Sequence, residues 1–294
     1  MYSAISANKR KSLFLIAIFV GFVAAVAYLV GYIKGGVRFA PYATIAALAY
    51  AVISYVSSSR LAMAMSGAHE VTKKEEPRLY RIVENLSITE GLPMPRVFVI
   101  EDSAPNACAT GTNPKSAIVC ATRGLLDIME DSELEGVMAH ELGHVKNYDI
   151  RVSMVAFALV AVIGLISDML MWGMYMGGSD DDEDSPLGAA GALISILVIF
   201  VAPLIAMLIQ LSISRRREYL ADATGAMTTR YPEGLANALE KIAQHGSVLK
   251  RQSASTAHLF LSNPLKRKSM AAMFSTHPPL EDRIAKLRSM GKSL

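Results

Sequence analysis

Four apolar stretches restrict the fold of this chain of 294 residues more than any other feature of its sequence. They are residues 13–33, 39–56, 152–172 and 188–213, and together they contain one charged side chain, Asp168. About 20 apolar residues in a helix cross the hydrocarbon core of a bilayer. A mean hydropathy of +0.33 is also high for a soluble protein. The sequence therefore predicts four transmembrane helices and a lipid bilayer as partner.

Short connections group these helices into two hairpins. The first hairpin comprises residues 1–56, because the loop at 34–38 is too short to hold a domain, and the second comprises residues 152–213. A cleaved signal peptide is the alternative for the first stretch, but that stretch is longer than such peptides use. The polar segments that remain, residues 57–151 and 214–294, are expected to form a single soluble domain.

Basic residues indicate the side of the membrane on which this domain lies. If all four stretches cross the membrane, the lysine and arginine clusters lie on the same side of it, at residues 9–11, 73–74, 146–151 and 215–217. The acidic run at residues 180–184 falls on the other side. The positive-inside rule makes the basic side cytoplasmic. We therefore expect a multi-pass protein of the cytoplasmic (inner) membrane whose soluble domain is cytosolic.

Charge and cysteine content exclude several functions. A net charge of +3 is small and is distributed over short clusters, so we expect no nucleic-acid partner, and we also expect no nucleotide. The two cysteines, Cys108 and Cys120, do not form a C-x-x-C motif. In a cytosolic domain they are predicted to be reduced, inert thiols.

The strongest chemical signal is the sequence His-Glu-Leu-Gly-His at residues 140–144. Residues four apart lie on one face of a helix, so His140 and His144 could bind one Zn²⁺. Glu141 would then act as general base toward the attacking water. Such chemistry implies one zinc ion per chain.

A helix around this motif is expected from its flanking residues. Ser132 and Glu135 have the spacing of a capping box. Apolar residues recur at helical spacing after them, which predicts a helix over residues 133–147. The motif therefore has the structural context that zinc binding requires.

A catalytic zinc usually has three protein ligands, so a third must come from elsewhere. The metzincin position for a third histidine is Ile150 here, which excludes that class. Glu218 is the best candidate, because Asp222 lies one turn further on and could orient a ligand histidine. Three weaker alternatives remain open: Asp149, His245 and His258.

The soluble domain is predicted to be mostly helical with a small sheet. Residues 96–101, 107–111 and 116–121 have strand composition, and apolar periodicity predicts helices after Pro77 and beyond residue 221. An edge strand of such a sheet can bind an extended peptide through backbone hydrogen bonds. A purely structural hairpin is an equally good interpretation of the residues alone.

These motifs together resemble the HtpX membrane zinc proteases, which are related more distantly to the CAAX prenyl endopeptidases. The resemblance covers nearly the whole chain. It rests on four segments: His140 to His144, Glu218-x-x-x-Asp222, Thr276-His277-Pro278-Pro279 followed by Arg283, and Asn106-Ala107-Cys108-Ala109-Thr110-Gly111.

The resemblance implies roles for residues that spacing alone does not assign. His277 and Arg283 would lie near the metal and stabilise the oxyanion of the transition state. Asn106, Ala107 and Ala109 would belong to the strand that binds substrate. The implied substrates are cytosolic segments of damaged or misfolded membrane proteins, or unfolded proteins, cleaved in quality control during stress.

The predicted fold class is therefore an α+β membrane protein, in which four transmembrane helices carry a mostly helical cytosolic zinc-peptidase domain with a small β-sheet. The predicted activity is that of a zinc metalloendopeptidase. Two alternatives are a CAAX prenyl-type peptidase, whose relatives resemble proteins with seven spans, and a catalytically silent membrane scaffold that binds zinc structurally.

Overall fold

The computed structural model describes residues 2–158, 161–162, 164, 215–246, 248–251, 253, 255–264 and 278–291. The chain divides into two compact units. We call residues 1–9, 59–154 and 211–294 the α/β unit, and residues 10–58 and 155–210 the apolar unit. The predicted spans at 152–172 and 188–213 lie mostly outside the described residues.

Helix α1, Tyr2–Ser66, contains both N-terminal apolar stretches. Its geometry is interrupted at Gly36, where a φ of 73° lies in the left-handed region that glycine adopts readily. A Cβ on Gly31 would lie 2.9 Å from the Cα of Ala40, so the two halves pack as a hairpin. The described residues contain two helices long and apolar enough to cross a membrane, Ser6–Leu29 and Gly36–Ser66.

Apolar side chains of this hairpin are exposed in the way that a lipid environment favours. Large apolar residues on a soluble surface are usually scattered, whereas these follow one another along both halves of the helix. The most exposed include Leu13, Phe14, Ile45, Val52 and Val56.

The α/β unit contains a sheet of four short strands: β1 (Ala68–Glu70), β2 (Arg96–Ile100), β3 (Ala107–Thr110) and β4 (Ile118–Thr122). Their order is β1-β2-β4-β3. Strand β2 runs parallel to β4, and the other two pairings are antiparallel. Strand β1 was not predicted, because three residues are too few to show alternation. The small sheet in a mostly helical fold is confirmed, and β3 forms one edge.

Beyond α1, the described residues of the α/β unit contain six α-helices, one of which packs against three of the others. They are α2 (Pro77–Glu90), α3 (Arg123–Ile128), α4 (Asp131–Lys146), α5 (Arg215–Thr229), α6 (Pro232–His245) and α7 (Leu280–Gly291). Helix α4 packs against α2, α5, α6 and strand β3. It is buried along most of its length, as expected for a helix with neighbours on every side. The zinc motif therefore lies in the core of the unit.

The first turn of α4 differs from the prediction. The helix begins at Asp131, and Glu133 Oε2 accepts a hydrogen bond from the backbone N–H of Glu130 at 2.7 Å. The capping box is thus formed by Glu130 and Glu133, and its assignment to Ser132 and Glu135 is wrong. Both pairs have the same three-residue spacing, so sequence alone could not separate them.

The two cysteines form a disulfide, so the prediction of reduced thiols is wrong. Cys108 on β3 lies directly opposite Cys120 on β4, with their Cα atoms 5.0 Å apart. This separation is within the range that a disulfide bridges. The pairing follows from the register of the two strands, which the spacing of the two cysteines in the sequence does not report.

Replacing Gly136 with alanine should destabilise the protein. A Cβ at this position of α4 would lie 2.7 Å from the backbone nitrogen of Leu235 and 2.9 Å from its Cα. Backbone atoms cannot move aside easily, so we expect a loss of about 1–3 kcal/mol in the free energy of unfolding. Denaturant titration of the purified protein in mild detergent measures this loss.

Gly143 is the matched control for that substitution. It lies on the same helix, but a Cβ there meets its nearest neighbours at 3.4 Å, which is ordinary van der Waals contact. Gly143→Ala should leave stability unchanged or raise it by up to about 1 kcal/mol through helix propensity. Equal losses in both variants would show that the close approach of α6 does not determine the result.

Candidate active site

Three side chains from two helices converge in the core of the α/β unit. Helix α4 places the Nε2 atoms of His140 and His144 3.1 Å apart. Helix α5 brings Glu218 beside them, with its carboxylate oxygens 3.9 Å from His140 Nε2 and 3.5 Å from His144 Nε2. One ligand atom from each residue lies within 4.8 Å of the others. The structure therefore brings together the two motif histidines and the preferred third ligand.

The geometry of this cluster fits a zinc ion. Two imidazoles and one carboxylate are a donor set of catalytic zinc sites. Tetrahedral ligands at about 2.0–2.1 Å from zinc lie roughly 3.3 Å from one another. The separations of 3.1, 3.5 and 3.9 Å are close to that value.

A separate carboxylate orients each ligand histidine. His140 Nδ1 donates to Asp222 at 2.9 Å, and His144 Nδ1 donates to Asp149 at 3.0 Å. In the neutral form of each imidazole, this arrangement leaves Nε2 with a lone pair for the metal. Asn8, on α1, donates to the other oxygen of Asp149 at 2.7 Å. The positioning role of Asp149 and the contribution of Asn8 were missed in the sequence, where Asp149 was considered only as a ligand.

The other two alternative ligands occupy different positions. His245 is exposed at the end of α6, where its Nδ1 contacts the carbonyl oxygen of Lys241 at 2.9 Å. His258 borders the cavity beside the cluster, and its Nε2 contacts the backbone oxygen of Ser153 at 3.3 Å. In the described part of the chain, neither belongs to the group of three.

Glu141 lies beside the cluster, and its carboxylate is buried. It is 1% exposed, and within the described residues its Oε1 has no hydrogen-bond partner. Burial raises its pKa to about 8, while the charge of His144 opposes the shift. It borders a cavity of about 30 Å³, together with His144 and Glu218. A carboxylate with a raised pKa beside a water-sized cavity is suited to accept a proton.

The neighbouring ionisable groups are perturbed by burial and by each other. Burial lowers the pKa of His140 to about 4. Burial alone would lower the pKa of His144 too, but the bond to Asp149 and the charge of Glu218 raise it to about 9. Burial would raise the pKa of Asp222, whereas Arg283 and His140 hold it at about 2. Asp222 therefore remains ionised at neutral pH.

Arg283 contacts both Asp222 and the group of three, with its Nη1 3.6 Å from Glu218 Oε2. It is fully buried and donates two hydrogen bonds to Asp222, from Nη2 at 2.6 Å and from Nε at 2.9 Å. Its Nη1 is 3.4 Å from the carbonyl oxygen of Leu261. These contacts position Asp222, and Arg283 is not among the residues that border the cavity. His277, its partner in the predicted oxyanion role, lies outside the described residues.

The predicted substrate-binding strand is partly occupied by the chain itself. The backbone N–H of Leu261 donates to Ala107 at 2.8 Å, and Phe260 pairs with Cys108. Asn106 is fully buried, and its side chain donates to the backbone oxygen of Ser262 at 2.8 Å. Ala109 borders the cavity. A peptide that paired along all of β3 would therefore have to displace residues 260–262.

Comparison with known proteins identifies the family. The profile of peptidase family M48 matches residues 73–291. The Protease HtpX homolog of Tropheryma whipplei (strain Twist) is 50% identical over 291 residues, covering 99% of both chains. That of Dictyoglomus turgidum is 41% identical over 292 residues, covering 99% of this chain and 95% of the relative.

A solved structure shares the fold. The crystal structure of S. mikatae Ste24p matches with a TM-score of 0.50 and 20% identity, covering 96% of this chain and 66% of that one. At this identity the similarity concerns the fold alone. The sequence matches confirm the resemblance to HtpX-type proteases, and the chain therefore belongs to peptidase family M48.

Proposed function

We propose that this chain is a zinc-dependent endopeptidase whose ligands are His140, His144 and Glu218 and whose general base is Glu141. The observation that carries the proposal is the buried Glu141 carboxylate, which borders a water-sized cavity beside three converging ligands. A structural zinc site is normally closed by four protein ligands and needs no such base. This favours an enzyme over a catalytically silent scaffold.

Each residue of the site has a defined task in peptide hydrolysis. Zinc held by His140, His144 and Glu218 would supply a Lewis acid to polarise the scissile carbonyl and lower the pKa of the attacking water. Glu141 accepts the proton of that water and donates it to the leaving amine. Asp222 and Asp149 hold the two imidazoles in the tautomer that presents Nε2. Arg283 keeps Asp222 ionised.

The proposed substrates are cytosolic segments of damaged membrane proteins, and unfolded proteins, in the cytoplasmic membrane. The relatives named Protease HtpX homolog and the apolar hairpin support a membrane location. In sequence, only seven residues separate His144 from the apolar stretch that starts at residue 152. A short connection of this kind favours substrates presented close to the bilayer. A CAAX prenyl-type peptidase is the second candidate, and its only support is the fold that this chain shares with S. mikatae Ste24p.

Substrates tethered to the membrane should be cleaved faster than soluble ones. The test joins one cleavable sequence to a transmembrane helix through linkers of about 5, 20 and 60 flexible residues, in vesicles containing the purified protein and zinc. Effective concentration falls as a linker lengthens beyond the span it must bridge. Cleavage should therefore peak at the shortest linker that reaches the site and then decline. Equal rates for the untethered sequence would show that the membrane does not select substrates.

Cysteine labelling tests the proposed orientation. With Cys108 and Cys120 replaced by alanine, a single cysteine is placed at Ser179 or at Ser275. The positive-inside rule puts the first outside the cytoplasm and the second inside. An impermeant thiol reagent added to intact cells should label only the Ser179 variant, and both variants should be labelled after lysis. Labelling at position 275 in sealed cells would overturn the cytosolic assignment of the site.

A further inference from the structure

Arg217 is a buried cation at the candidate active site that the mechanism above does not use. It precedes Glu218 on α5, and its side chain is 9% exposed. It borders the same cavity as Glu141, His144 and Glu218. Within the described residues none of its three side-chain nitrogens has a hydrogen-bond partner, and Nη1 is 3.7 Å from Asp149 Oδ1. A guanidinium carries five N–H donors, and leaving buried donors without acceptors is costly.

Arg283, the other buried arginine beside the ligands, differs from Arg217 in its hydrogen bonds. Arg283 directs two of its nitrogens at Asp222 and a third at a backbone carbonyl. Its donors are therefore occupied by the protein. Arg217, whose nitrogens have no such partners within the described residues, borders a cavity that has room for only a few water-sized atoms.

We propose that Arg217 donates hydrogen bonds to the carbonyl oxygen of the scissile peptide bond and stabilises the negative charge that develops there. This inference rests on the proposed peptidase function. During hydrolysis, the water oxygen bonds to the carbonyl carbon, the π electrons move onto the carbonyl oxygen, and Glu141 takes the water proton. The C–N bond then breaks and the amine leaves with that proton. Arg217 exchanges neither protons nor electrons.

The position of Arg217 makes it effective in this role. Charges that are buried and fixed before the reaction stabilise a developing oxyanion more than mobile, hydrated charges do. An arginine stays protonated under almost all conditions and needs no partner to become charged. In this proposal Arg217 takes the oxyanion role that the family resemblance suggested for Arg283.

Kinetics and inhibitor binding test this assignment. The variants are Arg217→Gln, Arg217→Lys and, as a matched control, Arg215→Gln, which removes an exposed cation two residues earlier on the same helix. We expect Arg217→Gln to lower kcat about 100- to 1000-fold with KM changed less than about threefold. Arg217→Lys should recover part of the loss, and the control should match the unmodified protein.

Two binding measurements separate a transition-state role from a structural one. A phosphinic peptide, which mimics the tetrahedral state, should bind Arg217→Gln weaker by about the same factor as the loss in kcat. Binding of the intact peptide is measured by fluorescence anisotropy in the Glu141→Gln background, which prevents cleavage. The affinity should be the same whether position 217 is arginine or glutamine. Zinc content, measured by atomic absorption, should remain about one per chain in every variant.

Three results would overturn the proposal. The first is unchanged affinity for the phosphinic peptide, and the second is loss of zinc in Arg217→Gln, which would make Arg217 a support for Asp149. The third is a defect confined to peptides with a free C-terminal carboxylate, compared with amidated ones, which would make Arg217 a carboxylate-binding residue. If the unmodified protein with zinc cleaves nothing, the proposed peptidase function fails first.

Discussion

Replacing Glu141 with glutamine should abolish peptide cleavage while the protein retains about one zinc ion per chain. Glutamine has nearly the same shape as glutamate but cannot accept the water proton. The structure supports this separation of roles, because Glu141 borders the cavity and is outside the group of three ligands. We expect a loss of at least about 10⁴-fold in kcat, since the general base is removed from the step that it enables. Hydrolysis of a fluorogenic peptide and metal analysis measure the two quantities.

Glu218→Ala is the paired variant. Its carboxylate lies 3.5 Å from His144 Nε2 and 3.9 Å from His140 Nε2, so removing it takes away one of three ligands. This variant should lose zinc on dialysis against a weak chelator, whereas Glu141→Gln should keep it. Excess zinc should restore activity only partly. If both variants lost zinc equally, or neither did, the assignment of base and ligand would be wrong.

The buried pair Arg283–Asp222 should show the largest effect on stability. Both side chains are buried, and two hydrogen bonds of 2.6 and 2.9 Å join them. Removing one partner leaves a charge without compensation in the core, which typically costs 3–5 kcal/mol. We therefore expect Arg283→Met to lower the free energy of unfolding by about that amount, measured by denaturant titration in detergent. Zinc affinity should also fall about 10- to 100-fold, because Asp222 no longer holds His140 as firmly.

An exposed ion pair in the same unit provides the control. Arg96 and Glu70 also form two hydrogen bonds, but both side chains are nearly half exposed. Solvent screens such a pair, so Arg96→Met should cost about 1 kcal/mol or less. The double variant Arg283→Met with Asp222→Asn should recover part of the loss seen with Arg283→Met alone. Similar losses for Arg283→Met and Arg96→Met would contradict the importance given to burial.

The residues that cluster at the candidate site could be predicted from sequence because their signals are local. His140 and His144 are four residues apart, and Glu218 and Asp222 are four residues apart. On a helix, each spacing puts both side chains on one face, so a short sequence already specifies the geometry within each pair. The apolar stretches are local signals for the same reason, because their length alone matches a bilayer.

Only the tertiary structure decided how these local pieces meet. Asn8 reaches Asp149 across 141 positions of the chain, and Arg283 reaches Asp222 across 61. Contacts at such distances depend on the packing of α4, α5 and α7, and no periodicity in the sequence reports that packing. For that reason the sequence could not show that Asp149 contacts a histidine from outside the group of three, whereas Glu218 belongs to that group.

The same reason explains the predictions that failed. The disulfide depends on strand register, which places Cys108 opposite Cys120. The substrate-binding strand stays a prediction, and residues 260–262, which pair with part of β3, lie more than 150 positions later in the chain. The sequence by itself therefore determined the residues of the candidate site and the two apolar helices that are long enough to cross a membrane. The tertiary structure decided which charges are buried together, because burial and pairing depend on contacts between segments that are distant in the chain.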